Sequence, residues 1–212
     1  MVAAAGCAMP NAKGNRDMST AQPPDEIETH IGFLLQPFGG SADVRRREAS
    51  ITYLLAHAER AYPRLIALLQ ANPTALNAPR IIAALPRFAR ADSVPLLESI
   101  LLRGAELASE AAGQALGLHP DPSAAAALSR ALQSTSVITV NAAADGLLLR
   151  GGPPEACRGL LSLAAHPDSN VRYHAIRAAA RLGCLSKAAL TRWADDDPDV
   201  NVRNLARELL SH

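Results

Sequence analysis

Two stretches of the chain decide the fold: Asp168-Ser169-Asn170-Val171-Arg172-Tyr173-His174-Ala175 and Asp199-Val200-Asn201-Val202-Arg203-Asn204-Leu205-Ala206. In both, a Val-Arg pair begins three residues after an aspartate, and an alanine follows three residues after the arginine. The two stretches are 31 residues apart, and Val140 precedes Val171 by the same distance. This spacing predicts a helix that recurs with a period of about 31 residues.

A second set of helices is predicted between those of the valine register. Its members are short apolar segments, two of which begin at Pro63 and Pro95, and proline is tolerated at a helix start because its missing N–H would be unpaired there. The central leucines of the segments are spaced 32, 31, 32 and 30 residues apart: Leu65, Leu97, Leu128, Leu160 and Leu190. Since both registers share one period, the unit is a helical hairpin.

A single hairpin cannot bury its apolar faces, so consecutive hairpins must stack around one core. We expect residues 25–212 to form an all-α solenoid and residues 1–24, which have no apolar periodicity, to be a disordered tail. The predicted repeats are 41–73, 74–105, 106–135, 136–168 and 169–198, followed by a half repeat at 199–212. Residues 25–38 are expected to form a capping helix with Ile27, Ile31, Leu34 and Phe38 on one face.

Glycines and aspartates mark the expected helix ends. Helices of the valine register are predicted to stop at Leu116-Gly117, Gly151-Gly152 and Leu182-Gly183, because glycine adopts the left-handed stop conformation readily. The run Asp195-Asp196-Asp197 is interpreted as a solvated turn in which Asp197 caps the last helix. The alternative interpretation is a carboxylate cluster for metal binding or acid–base chemistry.

The Asp…Val-Arg…Ala pattern resembles the HEAT-like repeats of bacterial proteins, in particular the short class of the phycobilisome lyases. The resemblance covers residues 41–212 and is weakest at 106–135, which has no Val-Arg pair. It implies a right-handed α-solenoid of about five HEAT-like hairpins with capping helices, whose second helices line a concave face. It also implies that Arg172 and Arg203 brace the next repeat through a carboxylate or a backbone carbonyl.

Composition narrows the class of function. The formal net charge is +1 and aromatic residues make up only 3% of the chain, which weighs against a nucleic-acid interface or a HEAT-like DNA glycosylase. No apolar run approaches the roughly 20 residues of a membrane span. The three cysteines, Cys7, Cys157 and Cys184, form no CxxC pair, and an odd number is not a disulfide framework. We therefore expect a reducing cytoplasm.

No catalytic constellation is evident in the sequence. The chain contains no HExxH motif and none of the His-Glu dipeptides that hold iron in the HEAT-like deoxyhypusine hydroxylases. We expect no metal and no cofactor. Cys157 and Cys184 are interpreted as small apolar core residues, the alternative being thiols that hold a substrate or bilin covalently.

Residues at outward positions of the second helices form a candidate binding surface. They could hold an acidic segment through charge-assisted contacts and one aromatic anchor, although Trp193 also occupies a core slot. The candidate residues are Arg64, Glu98, Arg130, Arg158, Arg192 and Trp193.

The leading functional hypothesis is a non-catalytic scaffold that binds another protein on its concave face, as an adaptor, a regulatory subunit or an immunity-type inhibitor. The alternative, from the resemblance alone, is a subunit of a bilin lyase or isomerase. That alternative requires a pigment groove rich in tyrosine or tryptophan, of which the chain has three and one.

Overall fold

The structure is a computed structural model that describes residues 25–37, 40–151 and 154–212, without the side chains of 154–156. Within these ranges all regular secondary structure is helical, so the fold is all-α, as the sequence predicts. The helices are α1 (Glu26–Leu35), α2 (Ser41–Ala56), α3 (Ala58–Ala71), α4 (Ala78–Ala84), α5 (Ser93–Arg103), α6 (Glu106–Leu118), α7 (Ser123–Ala131), α8 (Val137–Leu149), α9 (Pro154–Leu163), α10 (Ser169–Arg181), α11 (Lys187–Asp196) and α12 (Val200–Leu210). A short 3-10 helix, Leu85–Phe88, continues α4.

The helices form a stack of hairpins consistent with a HEAT-type solenoid. The first helices of consecutive hairpins form one row, in which α4 packs on α6, α6 on α8, α8 on α10 and α10 on α12. The second helices form another row, in which α5 packs on α7 and α7 on α9. Each of the five anchor leucines lies in a second helix, α3, α5, α7, α9 or α11, and is at least nine-tenths buried. The 31-residue period therefore corresponds to one helical hairpin.

The apolar interior is divided into two clusters. The larger runs from α1 to α10 and includes Leu163 and Val171. The smaller joins α10, α11 and α12 through side chains such as Ile176, Trp193 and Val202. Because α10 contributes to both clusters, it is the element that couples the last hairpin to the rest of the stack.

The contact between α6 and α8 is unusually close because glycines lie in it. A Cβ atom added to Gly117 would lie 2.6 Å from the carbonyl oxygen and 2.8 Å from the Cα of Gly146. The prediction that a helix ends at Leu116-Gly117 is therefore wrong: α6 continues to Leu118. Gly117 is needed for backbone approach, not for a stop.

Two other glycines do end helices as predicted. Gly151, after α8, has φ +88°, and Gly183, after α10, has φ +69°, the left-handed region that favours glycine. The predicted start at Pro63 needs a correction, since α3 begins at Ala58 and Pro63 lies inside it.

A buried ion pair ties the last two hairpins together. Arg172 donates from Nε and Nη2 to the two carboxylate oxygens of Asp197 at 3.0 and 2.8 Å, and from Nη1 to the backbone carbonyls of His166 and Pro167. Arg203 repeats the carbonyl contacts one repeat later, on Asp197 and Pro198. The predicted bracing of the next repeat is confirmed for Arg172, whereas the two carbonyl groups that Arg203 contacts lie in the loop before its own helix.

The interpretation of Asp197 as a solvated cap is wrong. Its side chain is only 4% exposed, and α12 is capped instead by Asp199, whose carboxylate accepts from the N–H groups of Asn201 and Val202. Burial raises the pKa of Asp197, but hydrogen bonds from Arg172 and from the N–H of Asp199 outweigh it, so the pKa lies below its usual range. The residue is a structural anion.

Cys157 and Cys184 form a disulfide, with their Cα atoms 5.2 Å apart. The expectation of two free, apolar core cysteines is therefore wrong. The pair was not evident because the two residues are 27 positions apart and belong to different repeats, where only stacking brings them together. In the disulfide neither sulfur is a free nucleophile, which contradicts the interpretation as a covalent bilin or substrate carrier.

The N-terminal helix α1 packs against α2, α3 and α4. Ile27, Ile31 and Leu34 are each at least 97% buried, in agreement with the predicted apolar face. Phe38, the fourth residue of that face, and the tail at residues 1–24 lie outside the described residues.

Candidate partner-binding face

The residues predicted to contact a partner lie on the second-helix face, which we define as the solvent side of α3, α5, α7, α9 and α11. They occupy all five helices in order: Arg64, Glu98, Arg130, Arg158, and then Arg192 with Trp193. The predicted outward orientation holds for the four arginines, which are all exposed.

Two of these arginines already have carboxylate partners. Arg64 donates from Nε to Glu28 at 2.6 Å, and Arg130 donates from Nε and Nη2 to both oxygens of Glu98 at 2.7 and 2.8 Å. The hydrogen bonds to Glu28 and Glu98 raise the pKa values of the two guanidinium groups. Such exposed pairs contribute little to stability, but they neutralise charge, so this part of the face is not a basic patch.

Arg158 and Arg192 differ from the other two. Within the described part of the chain neither has a hydrogen-bond or ion-pair partner, and both are exposed. Each lies beside a groove between neighbouring second helices. The unneutralised positive charge of the predicted surface is therefore concentrated on α9 and α11.

The α7–α9 groove has a volume of about 460 Å³. Ser129 and Arg130 form one wall, Arg158 and Ser162 form the other, and Gln133 lies at its end. All of these side chains carry hydrogen-bonding groups. The groove therefore combines hydrogen-bonding groups with a largely apolar lining.

The α9–α11 groove adjoins it and has a volume of about 500 Å³. Leu161 and His166 line one side, and Arg192, Trp193 and Asp196 line the other. Trp193 is only 8% exposed and belongs to the smaller apolar cluster. It is a core residue that forms part of the groove wall and not a protruding aromatic anchor.

A third groove, between α3 and α5, contains an arginine that is not among the predicted partner-binding residues. Arg103 is exposed and lines this groove of about 300 Å³ with Leu96 and Ser99. Its position, four residues after Ser99 and seven after Leu96, places it on the same helix face. That spacing could have identified Arg103 from the sequence, although the residue lies about 1.7 turns beyond the anchor Leu97.

The buried histidine, His119, has a structural role. Its Nε2 lies 3.1 Å from Ser93 Oγ and its Nδ1 accepts from the N–H of Asp121, so the ring is neutral and donates to the serine. Burial lowers the pKa of His119. Arg150 holds the same loop by donating to the carbonyl groups of Leu116 and His119.

The described residues contain no group of three or more His, Cys, Asp or Glu side chains arranged to hold a metal ion. A pigment site would require a groove rich in tyrosine or tryptophan, and of these residues only Trp193 lines any of the three grooves. No helix in the described part of the chain has both the length and the apolar character needed to cross a bilayer.

The fold and the face together define an all-helical repeat protein with a row of grooves on one side. Residues 139–211 match the family model of HEAT repeats. This match covers α8 to α12, which include the Val-Arg stretches, and it supports a HEAT-like repeat protein. No curated protein matches the chain.

Proposed function

We propose that the protein is a non-catalytic scaffold that binds another protein on the second-helix face, through an acidic segment of that partner. HEAT repeats generally mediate protein–protein interaction, and residues 139–211 carry them. The proposal includes the role of the protein as an adaptor, a regulatory subunit or an inhibitor. A location in the cytoplasm belongs to it as well, a compartment in which the Cys157–Cys184 bond would be transient because thiols there are kept reduced.

The observation that carries the proposal is the pair of unpartnered guanidinium groups on α9 and α11. Arg158 lines the α7–α9 groove and Arg192 lines the adjoining α9–α11 groove. A carboxylate-bearing segment lying across both grooves would supply the partners that these two side chains lack within the described residues. Charge-assisted hydrogen bonds to arginine are among the stronger polar contacts available to such a segment.

Double charge reversal, Arg158→Glu with Arg192→Glu, tests the proposal. Tagged wild-type and variant proteins are used to capture partners from an extract of the native host, and the captured proteins are compared by quantitative mass spectrometry. We expect at least one acidic protein to be captured by the wild type and depleted about tenfold or more with the double variant, as for loss of two charged contacts. Association with that protein should slow as salt is raised.

The first-helix residue Arg177 supplies the matched control. It lies on α10, is exposed, and has no hydrogen-bond partner among the described residues. Arg177→Glu with Arg45→Glu removes the same net charge from another surface and should leave capture unchanged. Equal depletion with both double variants would mean that only net charge matters, and no depletion with either would place the interface elsewhere.

A further inference from the structure

The disulfide joins the helix that carries Arg158 to the next repeat. Cys157, the residue directly before Arg158, lies in the first turns of α9, and Cys184 lies in the loop between α10 and α11. Both cysteines are partly exposed. A small thiol or a protein dithiol can therefore approach the bond.

The bond stands where two of the other second helices, α3 and α5, have buried apolar packing, whereas α7 has the half-buried Ala125 there and α11 the exposed Lys187. Three residues before the anchor leucine, α3 has Tyr62 and α5 has Val94, and both are buried. In α9 the same position is Cys157. Among the described side chains of α9, those of residues 157–163, only Leu160 and Leu163 are buried. The disulfide adds a covalent attachment one turn before Leu160.

The loop at the other end of the bond holds two parts of the molecule together. Cys184 packs against the larger apolar cluster, and the neighbouring Leu185 packs against both clusters. This loop leads directly into α11, which carries Arg192. The disulfide therefore fixes α9 and the start of α11 relative to each other, and these helices form the walls of the α9–α11 groove.

We propose that Cys157–Cys184 is a redox latch on the partner-binding face: the disulfide holds α9 and α11 in the arrangement that binds a partner, and its reduction releases the face. This regulation rests on the proposed function. The reductant is a dithiol, whose thiolate attacks one sulfur of the bond. The other cysteine leaves as a thiolate and takes up a proton, and the second thiol of the reductant then displaces the remaining cysteine. Two electrons pass to the protein, and the reductant leaves as its own disulfide.

Two measurements on the full chain test the latch, with Cys7→Ser introduced throughout so that Cys157 and Cys184 are the only cysteines. The first is amide hydrogen exchange of residues 157–165 in the oxidised and the dithiothreitol-reduced protein, with no ligand present. We expect exchange about tenfold faster after reduction, because the helix loses its attachment. The second is the affinity for a synthetic peptide of ten glutamates, followed by the fluorescence of Trp193, the only tryptophan. If the reduced face has the binding arrangement about a fifth of the time, Kd rises about fivefold.

The control variant is Cys157→Ala with Cys184→Ala. Its hydrogen exchange and Kd should equal those of the reduced protein and should not change when dithiothreitol is added. Unchanged exchange after reduction would overturn the latch whatever the peptide does. Faster exchange with an unchanged Kd would overturn its regulatory role. If the peptide binds neither redox form, the proposed acidic partner is wrong, and the hydrogen-exchange measurement alone decides whether the disulfide is a latch.

Discussion

The close contact between α6 and α8 makes a sharp prediction for Gly117→Ala. The new Cβ would lie 2.8 Å from the Cα of Gly146, whereas two carbon atoms pack at about 3.5–4.0 Å. The clash is with backbone atoms, so it cannot be relieved by rotating a side chain, and α6 and α8 would have to separate. Overpacking of this kind costs about 1–3 kcal/mol, against which alanine's better helix propensity returns at most about 1 kcal/mol. Because the clash is with backbone atoms, we take the upper part of that range, about 2–3 kcal/mol. We therefore expect a net loss of about 1–2 kcal/mol in the free energy of unfolding, measured by urea denaturation with circular dichroism at 222 nm.

The same substitution at Gly32 is the control. Gly32 lies inside α1, and a Cβ there would meet no atom within 4 Å. Gly32→Ala should therefore stabilise the protein by about 0.5–1 kcal/mol. If Gly117→Ala unfolded at the same or a higher urea concentration than the wild type, the argument that glycine permits the α6–α8 approach would be refuted.

Three further changes test other parts of the structure. Asp197→Ala leaves Arg172 buried without its anion and should lower the free energy of unfolding by about 3 kcal/mol in the same denaturation assay. Burial lowers the pKa of His119 in the folded protein. The contribution of this histidine to stability is therefore complete above its unfolded pKa of about 6.5 and is lost as the pH falls through its folded pKa. Between pH 7.5 and 5, the His119→Gln variant should lose less stability than the wild type. Replacing Cys157 and Cys184 by alanine opens a loop of 27 residues and should cost about 3.5 kcal/mol by the chain-entropy argument, measured against the oxidised protein.

Each of these has its own comparison. Asp195 is exposed and belongs to the same aspartate run, so Asp195→Ala should change stability by no more than about 0.5 kcal/mol. A loss as large as that of Asp197→Ala would mean that the run acts through its summed charge. For His119, parallel pH curves of variant and wild type would assign the acid sensitivity to other groups. For the cysteine pair, reduced wild type and double variant should be equally stable.

The sequence by itself determined the repeat. Apolar periodicity and the 31-residue spacing depend on neighbours along the chain, so Leu65 to Leu190 could be assigned to buried positions without knowledge of the stack. The bracing role of Arg172 was implied by the resemblance of its Val-Arg pattern to HEAT-like repeats.

Only the tertiary structure decided which side chains meet across repeats. The Cys157–Cys184 bond, the Gly117–Gly146 approach and the burial of Asp197 each depend on the offset with which one hairpin packs on the next, and that offset results from many small packing contacts that no local pattern encodes. The same applies to the charges of the binding face: Arg130 pairs with Glu98, 32 residues earlier, while Arg158 has no carboxylate partner among the described residues. Local periodicity fixes the orientation of a side chain on its helix, but the stacking of the helices fixes its partner.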